Sequence, residues 1–476
     1  MATAVRIGVI GAGSATFSLG LVKDLCLREG LAGSEVVFMD INRERLDAIT
    51  ALARRYVGEV GGNLRFEQTT DREAALRDAD FVINTADAKG HYHARRVRET
   101  TARHGYYYGG IDLGAFHNFN LMLDVARDIE RICPDAWLIQ SGNPVFEGCT
   151  LMTRETGVKV IGLCHGHYGY LEICNVLGLD PARVTWQAPG VNHNIWLVHF
   201  LHEGQDAYPL LDEWIATQAE EYWRSHVASR THDIQLSRGT IHQYQLYGLM
   251  PIGDTPRDRS NWWLHTDIDT KKYWFGEPWG GPDTELARPY YVSNLEKRLA
   301  EVVRVTNDPR ASVVELVGTA PTREQQVPII DALVNGKADF FQVNIPNRGM
   351  LDGVADDVVV EVPAYIDRTG VHAVKPTQLP RKIMLEKILP AVLDMERELE
   401  AFKSGDRTML LYNALMSGQT HSYEQAAAVL EDLLAMEGHE DLAAHYTMPR
   451  ADMRGGHGAA LAPRVRDERA KQVAAD

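Results

Sequence analysis

Apolar and polar positions along the first third of the chain follow two alternating rhythms. VRIGVIG (residues 5–11) is a continuous apolar run, the pattern of a strand buried on both faces, and GAGSATFSLGLVKDLCLR (11–28) opens a helix directly after it. EVVFMDI (35–41) predicts a second strand ending at Asp40, followed by an amphipathic helix over RERLDAITALARRYVGEV (43–60). ADFVINTA (79–86), AWLIQSGNP (136–144) and VKVIGLC (158–164) predict further strands, with a helix at LMLDVARDIERICP (121–134). Strands alternating with helices of this length imply parallel βαβ units, so the expected fold class is α/β with a Rossmann domain.

From about Val191 the rhythm changes. Aromatic and charged residues thicken through YWRSH, NWWLHTD and KKYWFGEPWGG, while DDVVVEVPAYID (356–367) reads as a strand. LPRKIMLEKILPAVLDMERELEAFKSG (379–405) and SYEQAAAVLEDLLAM (422–436) read as long helices. The expected organisation is an NAD-binding Rossmann domain over residues 1–190, an interleaved α+β substrate and oligomerisation domain over 191–450, and a flexible tail over 451–476.

Composition narrows the function classes. The 476 residues are 45% hydrophobic and 24% charged, enough for two globular domains. A formal net charge of −16 with no basic block argues against a nucleic-acid partner. No apolar run approaches the roughly 18 residues of a membrane span. Five cysteines, an odd count in a long chain, point to a reducing, cytoplasmic location rather than a disulfide framework.

GAGSATF follows a strand and opens a helix, the context a dinucleotide fingerprint requires. Gly11 and Gly13 match its first two glycines, which allow a tight turn and close backbone approach to a pyrophosphate; Thr16 stands where the third would be. Asp40 supplies the carboxylate expected on the ribose hydroxyls, favouring NAD over its 2′-phosphate form. Ser14 and Phe17, Ile41 beside Asp40, and Asn84 and Thr85 at the end of the next strand complete the expected cofactor set.

VIGLCHGHYGY (160–170) places Cys164 at the carboxyl end of a predicted strand, where ligands collect in open α/β sheets. The Cys164-His165-Gly166-His167 spacing is not a zinc-finger pattern. GVNHNIWL (190–197) brings His193 to another strand end, so Cys164 and His193 are candidates to converge on one metal with open positions for substrate oxygens. A buried cysteine and a packed histidine are the plainer alternative.

In this order, GAGSATF, VFMDI, ADFVINTA, SGNPVFEG, GLCHGHYG, GVNHNIWL and YGLMPIGDTPR resemble the NAD- and metal-dependent enzymes of glycoside hydrolase family four. KKYWFGEPWGG, QVNIPNRG and DDVVVEVPA extend the resemblance to the α-glucosidase and α-glucuronidase subgroup. Such enzymes depart from two-carboxylate glycoside hydrolysis. The resemblance implies a lactate/malate-dehydrogenase-like Rossmann domain, a homodimer or homotetramer, a small-molecule α-glucoside or α-hexuronide as substrate, and Mn2+ or another divalent metal on Cys164 and His193. Manganese is unexpected on softness grounds, since a thiolate suits zinc or iron better.

The implied chemistry is transient NAD-dependent oxidation at C3, acidification of the C2 proton by the metal, its removal by a base, elimination of the aglycone from C1, and return of water and hydride. Asp254 of GDTPR matches the base of the α-glucosidase type, and Tyr244 lies where phospho-glycosidase relatives carry a tyrosine base. Asn143 of SGNP is expected on substrate hydroxyls, and Arg257 either on substrate oxygens or paired with a nearby acid. One segment departs from the pattern: the loop GGIDLGAFHNFN (109–120) is shorter than in α-glucosidase relatives and lacks a clear match to their leaving-group acid. Asp112, His117 and His165 are the candidates to substitute, and the gap matters because a general acid contributes roughly 10²–10⁴ in rate. Arg95, Arg96 and Arg98 keep an anionic sugar in view, against the simpler reading of a solvated helix face. The competing function is an NAD-dependent sugar or glycoside dehydrogenase that forms a 3-ketone. A non-catalytic NAD-binding regulator is opposed by intact Cys164, His193 and Asp254.

Overall fold

The computed structural model describes residues 2–107, 115–258 and 260–447. Strands β1 (Arg6–Ile10), β2 (Glu35–Met39), β3 (Arg65–Thr69), β4 (Phe81–Asn84), β5 (Trp137–Gln140) and β6 (Lys159–Gly162) form a parallel sheet in the order β3-β2-β1-β4-β5-β6. This is the strand order of a dinucleotide-binding fold. Its crossovers carry helices α1 (Ala15–Leu27), α2 (Arg43–Glu59), α3 (Arg72–Leu76), α4 (Gly90–Arg103), α5 (Phe116–Ile132) and α6 (Val145–Glu155). All four residues of β4 are buried, as its apolar run predicts. β3 escapes the periodicity because it is the sheet edge: of RFEQT only Phe66 is buried.

After residue 180 the chain contributes β7 (Val184–Gln187), β8 (Gly190–Val191), β9 (Asn194–Leu197), β10 (His199–His202), β11 (Gln205–Asp206), β12 (Met250–Ile252), β13 (Asp339–Pro346), β14 (Val359–Asp367) and β15 (Gly370–Ala373). β13 joins β6 antiparallel through Asn344 opposite Gly162, and β14 pairs along β13 from Asp339 opposite Ile366 to Pro346 opposite Val359. β8, β9 and β12 follow, so the parallel sheet continues into an antiparallel one without a break. β7, β10 and β11 form a separate small sheet. One apolar core runs through both halves, from Val9, Phe38 and Ile161 to Val343, Val360 and Val362. Late elements return to the Rossmann half: the helix Ala287–Asn307 packs on α1 and α2.

The helix expected over 379–405 is interrupted. Met384–Ile388 adopt a π-helical turn before the helix Leu389–Ser404. Pro390 lacks the N–H that a regular α-turn would send back to Glu386, which favours this widened turn. The Lys387 carbonyl in this turn accepts a hydrogen bond from Asn194 Nδ2 at 2.9 Å, on the strand that follows His193. No described helix is long and apolar enough to cross a membrane.

Candidate active site

The carboxyl ends of the parallel strands are tied together at one level. Thr85 N donates to Ile10 O at 2.9 Å, Ser141 N to Asn84 O at 2.9 Å, and Leu163 N to Gln140 O at 2.8 Å. On this rim the turn after β1 places Gly13 against Asp40: Gly13 N donates to Asp40 Oδ2 at 2.7 Å, and a Cβ on Gly13 would lie 2.6 Å from that oxygen. Gly11 takes a φ of +85°. Ser14 begins α1 without a side-chain cap, and the first turn holds no acidic residue, which leaves its N–H groups as an anion site. The exposed Ile41 flanks Asp40, and Phe17 packs on the core below. Thr85 Oγ1 donates to Ile10 O and Gly11 O at 3.2 Å. Asn84 corrects its expected role as a cofactor contact. It is fully buried, with Nδ2 on Gln140 Oε1 at 2.9 Å and Oδ1 accepting from Ala86 N at 3.2 Å, so it shapes the floor of the site.

Beside this cradle, ligand atoms of Cys164, His193 and Asp254 lie within 4.8 Å of one another. Cys164 follows β6, His193 sits in the turn between β8 and β9 with a φ of +62°, and Asp254 follows β12. Backbone proximity brings these loops together: a Cβ on Gly253, whose φ is +65°, would lie 2.4 Å from Gly166 Cα. The left-handed turn at His193 is uncommon for a side-chain-bearing residue and persists where surrounding contacts fix it.

Those contacts are specific. His193 Nδ1 lies 2.8 Å from Asp258 Oδ2, while its buried Nε2 has no hydrogen-bond partner and faces Asp254 Oδ2 at 3.4 Å. An imidazole anchored by a carboxylate on one nitrogen, with the other turned to a thiol and a second carboxylate, is the arrangement of a metal-ligating histidine. Burial opposes ionisation of Cys164, but the adjoining His193 outweighs it and lowers the thiol below its ordinary value, toward the thiolate a metal requires. Burial likewise opposes charge on Asp254, yet Arg257 and His193 hold its carboxyl well below the usual range. A sulfur and a nitrogen with open positions, and a carboxylate beside them, therefore fit a divalent metal.

Arg257 is committed to acids. Its Nε donates to Asp254 Oδ1 at 2.9 Å and its Nη1 to Asp283 Oδ2 at 2.6 Å, the pairing alternative rather than the substrate one. Asp283 is also bound by Arg288, and Lys271 Nζ donates to its carbonyl at 2.9 Å.

The other expected residues divide. His165 is exposed at the rim, its Nδ1 3.4 Å from Glu324 Oε1. Asn143 follows β5 and accepts from Asn118 Nδ2 at 3.2 Å through its carbonyl. Two further candidates are held by other partners. Tyr244 turns its hydroxyl to Asp212 at 2.7 Å and stacks on Tyr208, so packing on helix Arg238–Tyr247 holds it outside the Cys164 cluster. His117 lies 3.0 Å from Asp441 and is grouped with His93 and His439. Asp112 lies outside the described residues. Arg95 pairs with Glu99 at 3.4 Å and Arg96 with Glu437 at 3.3 Å, the behaviour of a helix surface.

The residue reading overlooked Asp258, Asp283 and Glu361. Asp258 was accessible as the acid directly after GDTPR. Glu361 was accessible as a lone carboxylate among the valines of DDVVVEVP. It is buried in the row Gly162-Asn344-Glu361-Gly190 across the sheet, where burial raises its carboxyl. Its Oε2 accepts from Asn192 at 3.0 Å and from Asn344 at 3.3 Å, which braces the turn carrying His193.

The chain is 24% identical over 396 residues to an α-galactosidase of Bacillus subtilis, covering 79% of this chain and 85% of that one. It is 26% identical over 467 residues to an α-glucosidase of Erwinia rhapontici, covering 90% and 97%. A solved 6-phospho-α-glucosidase from gut microorganisms, in complex with NAD and Mn2+, superposes with a TM-score of 0.75 at 17% identity, covering 94% of this chain and all of that one. Residues 6–178 match the family 4 glycosyl hydrolase model and residues 188–420 match the model of that family's C-terminal domain, and the chain belongs to the family 4 glycosyl hydrolases.

Proposed function

We propose that this glycosidase cleaves α-glycosides, either α-glucosides or α-hexuronides, by an NAD- and divalent-metal-dependent oxidation and elimination. The observation that carries this reading is the convergence of Cys164, His193 and Asp254 around a buried, unpartnered His193 Nε2 beside the Gly13–Asp40 cradle. Bound NAD would supply hydride acceptance at C3, and the bound ion would supply Lewis acidity at the neighbouring oxygens.

The chain's own residues supply the rest. The uncapped N-terminus of α1 receives the dinucleotide phosphates, and Asp40 receives the ribose. Cys164 and His193 hold the ion, with Asp258 fixing the His193 tautomer. Asp254, kept ionised by Arg257, is the residue placed to take the C2 proton. Asn143 borders the sugar, and His165 at the rim is the described candidate for protonating the leaving group. The reading takes the chain to act in the cytoplasm as a homodimer or homotetramer, the first supported by its five unpaired cysteines.

The test is anaerobic incubation of reduced, manganese-loaded protein with NAD and a panel of p-nitrophenyl α- and β-glucosides, galactosides and glucuronides. Release of nitrophenol that requires both NAD and metal, without accumulation of NADH, is the expected result. Stoichiometric NADH with an intact glycosidic bond would instead make the protein a 3-keto-forming dehydrogenase.

A further inference from the structure

A second group of ligand-type side chains lies on the Rossmann half, built from three separate parts of the chain. His93 is in the first turns of α4, His117 begins α5, and His439 caps the helix Glu440–His445. One ring nitrogen of each falls within 4.8 Å of the others. His93 Nε2 and His439 Nε2 are 2.8 Å apart. His439 is buried and its Nδ1 lies 2.5 Å from Leu433 O, an acceptor with no proton to give, so Nδ1 carries the hydrogen and Nε2 presents a lone pair to the cluster. His117 Nε2 is held by Asp441 Oδ1 at 3.0 Å.

We propose that His93, His117 and His439, with Asp441 beside them, form a second metal site for a borderline-soft divalent ion such as Zn2+. The spacing fits. A tetrahedral ion with metal–nitrogen bonds of about 2.0–2.1 Å sets its ligand atoms roughly 3.3 Å apart, while here one pair lies at 2.8 Å and all three atoms fall within 4.8 Å of one another, so ring rotations complete the site. Three imidazoles without sulfur select zinc, nickel or copper over magnesium or calcium, and Asp441 offsets part of the ion's charge. Two of the rings are anchored through backbone or carboxylate partners, the support that fixes metal-ligating histidines. Such an ion clips the C-terminal helices onto α4 and α5, where Lys89 Nζ already donates to Gly438 O at 3.1 Å and Arg96 pairs with Glu437 at 3.3 Å. Its role is to fasten these elements, and it does not depend on the chemistry assigned to Cys164.

The experiment strips the full-length protein with chelator, reloads it with zinc, removes the excess and measures bound metal by elemental analysis. His93→Ala and His117→Ala, both at partly exposed positions, are each expected to hold one equivalent less than the parent, whereas Cys164→Ser retains that equivalent. Zinc is expected to raise the melting temperature of Cys164→Ser but not of Cys164→Ser combined with His93→Ala. Cobalt-loaded Cys164→Ser is expected to show intense tetrahedral visible bands without thiolate charge transfer, a readout that does not require the histidine variants to fold. Equal zinc in His93→Ala, His117→Ala and the parent, or only weak octahedral cobalt absorption in Cys164→Ser, would overturn the proposal.

Discussion

Asp258 Oδ2 lies 2.8 Å from His193 Nδ1, and this contact turns the bare Nε2 of His193 toward Cys164 and Asp254. The pair predicts a graded loss. Asp258→Ala is expected to weaken divalent-metal binding at the Cys164 cluster by about 10–100-fold. Asp258→Asn is expected to do less, because its amide oxygen still accepts the Nδ1 hydrogen. Competition against a chelator of known affinity measures both; equal metal affinity in wild type and Asp258→Ala would remove Asp258 from the site.

Gly13 predicts a separation of cofactor from metal. A Cβ there would lie 2.6 Å from Asp40 Oδ2 and displace the carboxylate expected on the ribose. Gly13→Val is therefore expected to abolish NAD binding while leaving metal binding at Cys164 intact. Calorimetric titration with NAD, alongside metal analysis of the same sample, checks both halves.

Acid stability is expected to depend on the buried Asp331 and its partners Asn335 and Arg28. Burial alone would raise the Asp331 carboxyl, but Asn335 Nδ2 at 2.6 Å and Arg28 Nε at 2.5 Å outweigh it and hold the group below the usual carboxylate range. A depressed folded value contributes stability that is fully present above the unfolded value of about 3.9 and is lost as pH falls through the folded one. The stability gap between wild type and Asp331→Asn is thus expected to be constant near neutral pH and to close on acidification below about pH 4. Denaturant unfolding at several pH values reads the gap directly, and a gap independent of pH would exclude Asp331 as its source.

The Rossmann half was legible because its buried parallel strands are short apolar runs bounded by turns, as in β1 and β4. β3 was not, since an edge strand needs only Phe66 inside. The junction of β6, β13 and β14 was equally hidden: Asn344 pairs with Gly162 across the sheet, and periodicity carries no information on which distant strands meet. Cys164, His193 and Asp254 were legible as chemistry-bearing residues at strand ends or in a motif loop. The partners of Tyr244 and His117 were hidden because sequence position does not tell where a side chain turns, and here the two turn to Asp212 and Asp441. Asp258 and Glu361 act through His193 and Asn192, contacts that exist only once the strands are assembled.

Turnover of a cleaved p-nitrophenyl glycoside in deuterated water, comparing wild type with Asp254→Asn and reading the C2 position of the released sugar by NMR, separates elimination from displacement. Deuterium is expected at C2 in the wild-type product, and the rate of Asp254→Asn is expected to fall by roughly 10²–10⁴ with NAD binding retained. Product that keeps its original C2 hydrogen at an undiminished rate would contradict elimination and leave direct displacement at C1 as the route.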